Sequence, residues 1–124
     1  MTDNINEVNP NNVVKEIISY DDFAKLQIVI GTIISVEPVP DSNKLLKLMV
    51  DVGEEKPRQI LSGIKKYFID PQSLVGIKNP FLINLETKVI AGLESQGMIL
   101  AASEGEAFAL LNPSSPLNSG TPIR

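Results

Sequence analysis

Ser95 and Met98 stand three residues apart in the run Gly92-Leu93-Glu94-Ser95-Gln96-Gly97-Met98-Ile99-Leu100-Ala101-Ala102. The first half of this run is small and polar and reads as a turn. The second half is apolar and reads as a buried strand. A hydroxyl and a flexible thioether at a strand entrance can together hold a nucleotide, the first by hydrogen bonding and the second by packing against a base. Cations able to meet phosphates lie elsewhere in the chain, at Lys44, Lys47, Arg58, Lys65, Lys66 and Lys88. Each has a plain alternative as a solvated surface charge, and Arg58 has a second one, an ion pair with Glu54 or Glu55. Asn84 either contacts a ligand or makes an Asx turn. Ser95 and Met98 are the strongest candidates, although Met98 also suits a place in the core. Tyr67 and Phe68 can stack a base or fill the core, in a chain with 4 Phe, 2 Tyr and no Trp.

There is no Cys and no His among the 124 residues. This excludes disulfides, thiolate chemistry, imidazole bases and the usual zinc and haem sites. No carboxylate cluster has the spacing of a metal loop, so no metal and no cofactor is expected. Nothing places a nucleophile beside a base, which argues against an enzyme. The net charge of −4 is unpromising for a nucleic-acid binder. That charge is concentrated in residues 1–22, where Asp3, Glu7, Glu16, Asp21 and Asp22 outweigh Lys15. The remainder is neutral overall, and residues 44–88 are modestly basic. No apolar run approaches the roughly 20 residues of a membrane span, and the polar N-terminus lacks the pattern of a secretory signal, so a cytoplasmic location is expected.

The elements that must position these residues are mostly strands. Residues 1–19 form a polar extension, with a mobile tail over Met1–Asn12, and residues 20–124 form one domain. Val13, Val14, Ile17 and Ile18 have helix-like spacing, although Ile17, Ile18 and Tyr20 also suit an extended segment. Asp21-Asp22 before Phe23-Ala24-Lys25 reads as a capped turn of helix. Gln27–Val36 is a continuous β-branched run and predicts a long buried strand, with Gly31 as its bend or bulge. The loop Glu37–Asn43 ends it, and strands follow at 45–52 and 58–62. A short irregular insertion occupies 64–74. Further strands are expected at 78–85, 97–102 and 107–111, with a long connection over 86–96 and a loop-rich C-terminal extension. This order predicts an all-β fold, a five-stranded oligonucleotide/oligosaccharide-binding barrel with short helical insertions.

Several further motifs are collinear with the opening run. They are Asp22-Phe23-Ala24-Lys25-Leu26, Glu37-Pro38-Val39-Pro40 with Lys44-Leu45-Leu46-Lys47-Leu48, Val50-Asp51-Val52-Gly53, Arg58-Gln59-Ile60-Leu61-Ser62-Gly63-Ile64 and Asn84-Leu85. Together they resemble the tRNA-binding domain family over residues 20–124. The family includes the C-terminal domain or beta chain of bacterial methionyl-tRNA synthetases and free-standing structure-specific tRNA-binding proteins. The resemblance implies a non-catalytic, dimerising barrel that binds tRNA by shape and phosphate contacts, with a synthetase catalytic chain as a further candidate partner. It assigns the RNA contacts to Lys44, Arg58, Lys65, Asn84, Lys88, Ser95 and Met98. The chain departs from the family pattern at Val29, Thr32 and Ala91, where basic residues are usual. The resemblance therefore implies a thinner electrostatic rim. The other reading of the same barrel is a protein-interaction or secretion-chaperone-like module. The apolar C-terminal residues Ile99, Leu100, Phe108, Leu110, Leu111 and Leu117 are expected either at a dimer interface or in the domain's own core.

Overall fold

The computed structural model describes residue 9 and residues 12–124, so most of the expected N-terminal tail lies outside the described residues. Residues 12–19 have no regular structure, and the helical alternative for Val13–Tyr20 is not adopted. The α-helix among the described residues, α1, runs Tyr20–Ala24. Its cap is Ser19 rather than the Asp pair. The Ser19 hydroxyl accepts from the Asp22 N–H, and the Asp22 carboxylate accepts from the Ser19 N–H, a reciprocal capping box.

Nine strands follow: β1 Ile28–Pro38, β2 Leu46–Asp51, β3 Arg58–Ser62, β4 Lys78–Leu82, β5 Lys88–Ile90, β6 Leu93–Ser95, β7 Met98–Ile99, β8 Ala101–Glu104 and β9 Ala107–Leu110. Five of them form an antiparallel sheet in the order β3-β2-β1-β4-β7. The sheet curls nearly into a barrel, as the strand order predicts. Short 3₁₀ turns at Lys65–Tyr67 and Pro71–Leu74 occupy the expected insertion. In the second of these, the Asp70 carboxylate accepts from Gln72 N–H and Pro71 opens the turn.

The core follows from strand alternation. In β2, Leu46, Leu48 and Val50 are fully buried while Lys47, Met49 and Asp51 between them are half-exposed. Ile33, Ile60 and Phe81 complete the barrel centre. Gly31 is not the bulge. The register shift falls between Ile33 and Ser35, which leaves Ile34 48% exposed. Gly31 instead makes room for packing: a Cβ there would lie 2.7 Å from Phe81 Cδ1 and 2.7 Å from Val50 Cγ1.

Three boundaries differ from the sequence reading. The fourth strand ends at Leu82, not 85. The connection 86–96 contains its own hairpin, β5–β6, turned by Ala91 (φ 52°) and Gly92 (φ 79°). Two successive residues with positive φ are the signature of a tight two-residue hairpin turn, and an Ala there gives no sequence signal. The expected strand 97–102 is split between β7, which pairs with β4, and β8, which pairs with β9.

Ile99 is core, and Phe108 and Leu110 pack against the core. The C-terminal loop folds back on β1: Ile30 N–H donates to the Thr121 carbonyl at 2.8 Å and Gly120 N–H to the Ile30 carbonyl at 2.7 Å. Among the described residues, no helix is long and apolar enough to cross a membrane.

Gly31→Ala tests the packing argument. The added methyl overlaps a buried ring, so it should destabilise the domain by about 1–3 kcal/mol in urea unfolding, without changing the slope.

Candidate nucleic-acid interface

The strands leave one seam, between β3 and the segment Glu94–Gly97, and polar groups close it in place of a regular ladder. Gln96 N–H donates to the Gln59 carbonyl at 2.8 Å, and the Gln96 side-chain oxygen accepts from Gln59 N–H at 3.0 Å. The Gln59 amide donates to the Glu94 carbonyl at 2.9 Å. Leu61 N–H donates to the Ser95 hydroxyl oxygen at 3.0 Å, and that hydroxyl donates to the Gly97 carbonyl at 3.2 Å. Ser95 is only 4% exposed. Its hydroxyl is therefore used inside the protein, as a strut across the seam.

Arg58 clamps the same seam. Its Nη1 donates to the carbonyls of Ile83 and Gln96 at 2.8 and 2.9 Å. Its Nε and Nη2 form a fork on the two Glu54 carboxylate oxygens at 2.7 and 2.9 Å. The ion-pair alternative from the sequence is thus the arrangement present. The Arg58 hydrogen bonds hold the Glu54 carboxyl below its ordinary range, and the Glu54 carboxylate raises the Arg58 guanidinium.

Beside the seam lies a cleft of about 600 Å³. Leu61, Ser62 and Gly63 line one wall, Leu85 to Lys88 and Ile90 the other, with Ser95, Gly97 and Met98 at the base. Met98 is 44% exposed and Leu85 47% exposed, so both offer apolar surface to a ligand. Lys88 and Ser62 make no side-chain hydrogen bond or ion pair. The cleft thus gathers Ser95, Met98 and Lys88 from the expected set, with Met98 and Lys88 free and Ser95 engaged.

The other expected residues are elsewhere. Asn84 neither makes an Asx turn nor lines the cleft. Its Oδ1 accepts from Gln27 N–H and its Nδ2 donates to the Lys25 carbonyl, both at 2.7 Å, which fastens the entry to β1. Lys44 is exposed. Lys65 donates from Nζ to the Ser42 carbonyl at 3.4 Å and from its N–H to the Lys44 carbonyl at 3.1 Å, so these two cations are neighbours. Lys47 pairs with Glu37 at 3.1 Å. Tyr67 stacks on Phe108 with centroids 4.2 Å apart, Phe68 meets Phe108 edge-on, and Lys66 lies over the Tyr67 ring. Neither aromatic stands free for a base.

Two residues escaped the sequence reading. Glu86 lines the cleft without a partner of its own. Asn79 is fully buried, with Nδ2 donating to Leu100 O and Oδ1 accepting from Leu111 N–H, and so anchors the β8–β9 hairpin. A polar side chain inside an apolar strand was the available signal for Asn79. Among the described residues, no group of three or more acidic, His or Cys side chains could hold a metal ion.

A small antiparallel barrel with an open, mixed polar and apolar cleft at its seam defines an oligonucleotide-binding type of module. Comparison with known proteins identifies the kind. Residues 28–122 match the tRNA binding domain family, and the chain belongs to that family. It is 51% identical over 110 residues to the methionine–tRNA ligase of Methanosphaerula palustris, covering 89% of this chain and 16% of that protein. The corresponding enzyme of Methanococcoides burtonii is 44% identical over 123 residues, covering 98% of this chain and 18% of that protein. The chain thus spans less than a fifth of these relatives. Among solved structures, a MetRS-related protein of Pyrococcus horikoshii matches with TM-score 0.81 and 32% identity, covering 89% of this chain and all of that one. The chaperone CsaA of Bacillus anthracis matches with TM-score 0.78 and 28% identity, covering 88% and 100%.

Ser95→Ala isolates the strut. It leaves the buried Leu61 N–H without its acceptor and should cost about 1–3 kcal/mol of unfolding free energy. Loss of hydrogen-exchange protection at Leu61 checks where the effect falls.

Proposed function

We propose that this chain is a non-catalytic tRNA-binding module of a methionyl-tRNA synthetase system that grips tRNA at the cleft beside the β3 seam. The observation that carries this is the state of the cleft's side chains: Met98, Leu85, Ser62 and Lys88 are open, while the groups around them are tied into the barrel. Such a site supplies apolar contact for an unstacked nucleotide and a cation for its phosphate. Lys65 follows the end of β3 and its N–H donates to the Lys44 carbonyl, so these two residues offer further cations to the RNA backbone. The relatives support a link to the attachment of methionine to its tRNA, and a cytoplasmic location accords with that work. The non-catalytic reading is supported by the Ser95 hydroxyl, which donates to a carbonyl and has no base beside it.

Self-association completes the proposal. The support has moved from the C-terminal apolar residues, of which Ile99, Phe108 and Leu110 pack in or against the core while Leu111 and Leu117 are exposed, to the segment leading into α1. Val13, Val14, Ile17 and Ile18, with Tyr20 at the start of α1, are between 62% and 91% exposed. Five large apolar side chains in one short segment make a surface that a second copy would cover. Two copies would also double the thin set of phosphate contacts left by Val29, Thr32 and Ala91.

Unfractionated tRNA titrated at low salt should bind, and the affinity should fall as salt rises. Lys88→Ala should flatten the log–log salt slope by roughly 0.7–0.9. Met98→Ala should weaken binding without changing that slope. Absence of both binding and salt dependence overturns the reading. In the same buffer, light scattering at tens of micromolar should give twice the 13.5 kDa chain mass, reverting to one chain in Ile17→Asp. A wild-type monomer at that concentration refutes the self-association.

A further inference from the structure

We propose that the cleft selects an unpaired guanine and that Glu86 is the residue that reads it. This rests on the RNA-binding reading of the cleft and adds a base preference to it. Glu86 is exposed, lines the cleft wall and makes no hydrogen bond or ion pair. It stands two residues from Lys88, the cation that would meet a phosphate. A free carboxylate at that position repels a polyanion unless the ligand brings donors to it.

The four bases differ in what they can bring. Guanine presents N1–H and an N2 amino hydrogen side by side, two parallel donors that match the two oxygens of one carboxylate. Cytosine and adenine each offer a single amino group. Uracil offers N3–H between two carbonyl oxygens, and those oxygens face the carboxylate unfavourably. The remaining groups suit the same base. Met98 and Leu85 supply apolar surface for the purine face. The Ser62 hydroxyl, unengaged in the protein, is left for guanine O6 or the ribose. A volume of about 600 Å³ accommodates one nucleotide in a site of ordinary ligand size.

The test uses the whole chain and five labelled RNA pentamers, UUXUU with X as guanosine, inosine, adenosine, cytidine or uridine, in low-salt fluorescence anisotropy. The guanosine pentamer should bind roughly tenfold more tightly than the uridine one, the scale of a hydrogen-bonded charged contact. Inosine lacks the 2-amino group and should lose much of that advantage. Glu86→Gln should erase the guanosine preference while holding or raising affinity for the uridine pentamer, because a like charge has gone. That retained affinity shows the variant to be folded. Equal wild-type affinity for all five pentamers overturns the guanine proposal and leaves RNA binding standing. Binding of tRNA with no pentamer bound also overturns it, since a cleft for one unpaired base must accept a short strand. Failure of tRNA and pentamers alike removes the RNA-binding reading itself.

Discussion

The seam between β3 and Glu94–Gly97 is the constraint on which the rest depends. A sheet of five strands curls but does not close by its own ladder, and an unclosed edge exposes unpaired N–H and carbonyl groups. Here the closure is made largely by side chains, with one backbone bond between them: the Gln59–Gln96 exchange, the Ser95 strut and the Arg58 clamp. Backbone shape is adapted to it as well. Gly97 has φ 154°, and a Cβ there would come 2.9 Å from the Leu82 carbonyl. Because a single backbone bond and a few side chains span the gap in place of a continuous ladder, the cleft lies open beside it.

This arrangement divides the polar residues into two groups. Arg58, Ser95 and Asn84 have the types expected of ligand contacts, yet their hydrogen-bonding capacity is largely consumed within the protein. Lys88, Ser62, Glu86 and Met98 lie on the same cleft with nothing to hold them. The hydrogen-bonded residues hold the barrel around the cleft, and the unpartnered side chains on its wall are left to meet what enters. The hairpin β5–β6 carries the outer wall, and its Ala91 sits in a left-handed conformation that costs an alanine about 1–2 kcal/mol.

The barrel was largely legible because its strands are long, β-branched and separated by Pro, Gly and Asp clusters. β1, β2 and β3 begin and end within a residue or two of the positions their apolar runs predict. The β5–β6 hairpin was not legible, since its turn is Ala-Gly and its strands are three residues each. The bulge does not fall at Gly31; a glycine forced by a neighbouring ring looks identical in sequence to one forced by a bulge. For the cleft, the segment could be read but the role of each residue could not. Nothing in Ser95 or Arg58 announces that its partners lie 34 or 38 residues away. Glu86 was passed over because an acidic residue runs against the expectation for a phosphate-binding rim.

The C-terminal strap along β1 has a consequence for how such a barrel can be carried. Ile123 N–H donates to the Ile28 carbonyl at 2.8 Å, and Val29 bridges Pro122. The start of the barrel's first strand and residues 122–123 therefore lie side by side. A unit with its entrance and exit at one point can be spliced onto, or into, another polypeptide without stretching either.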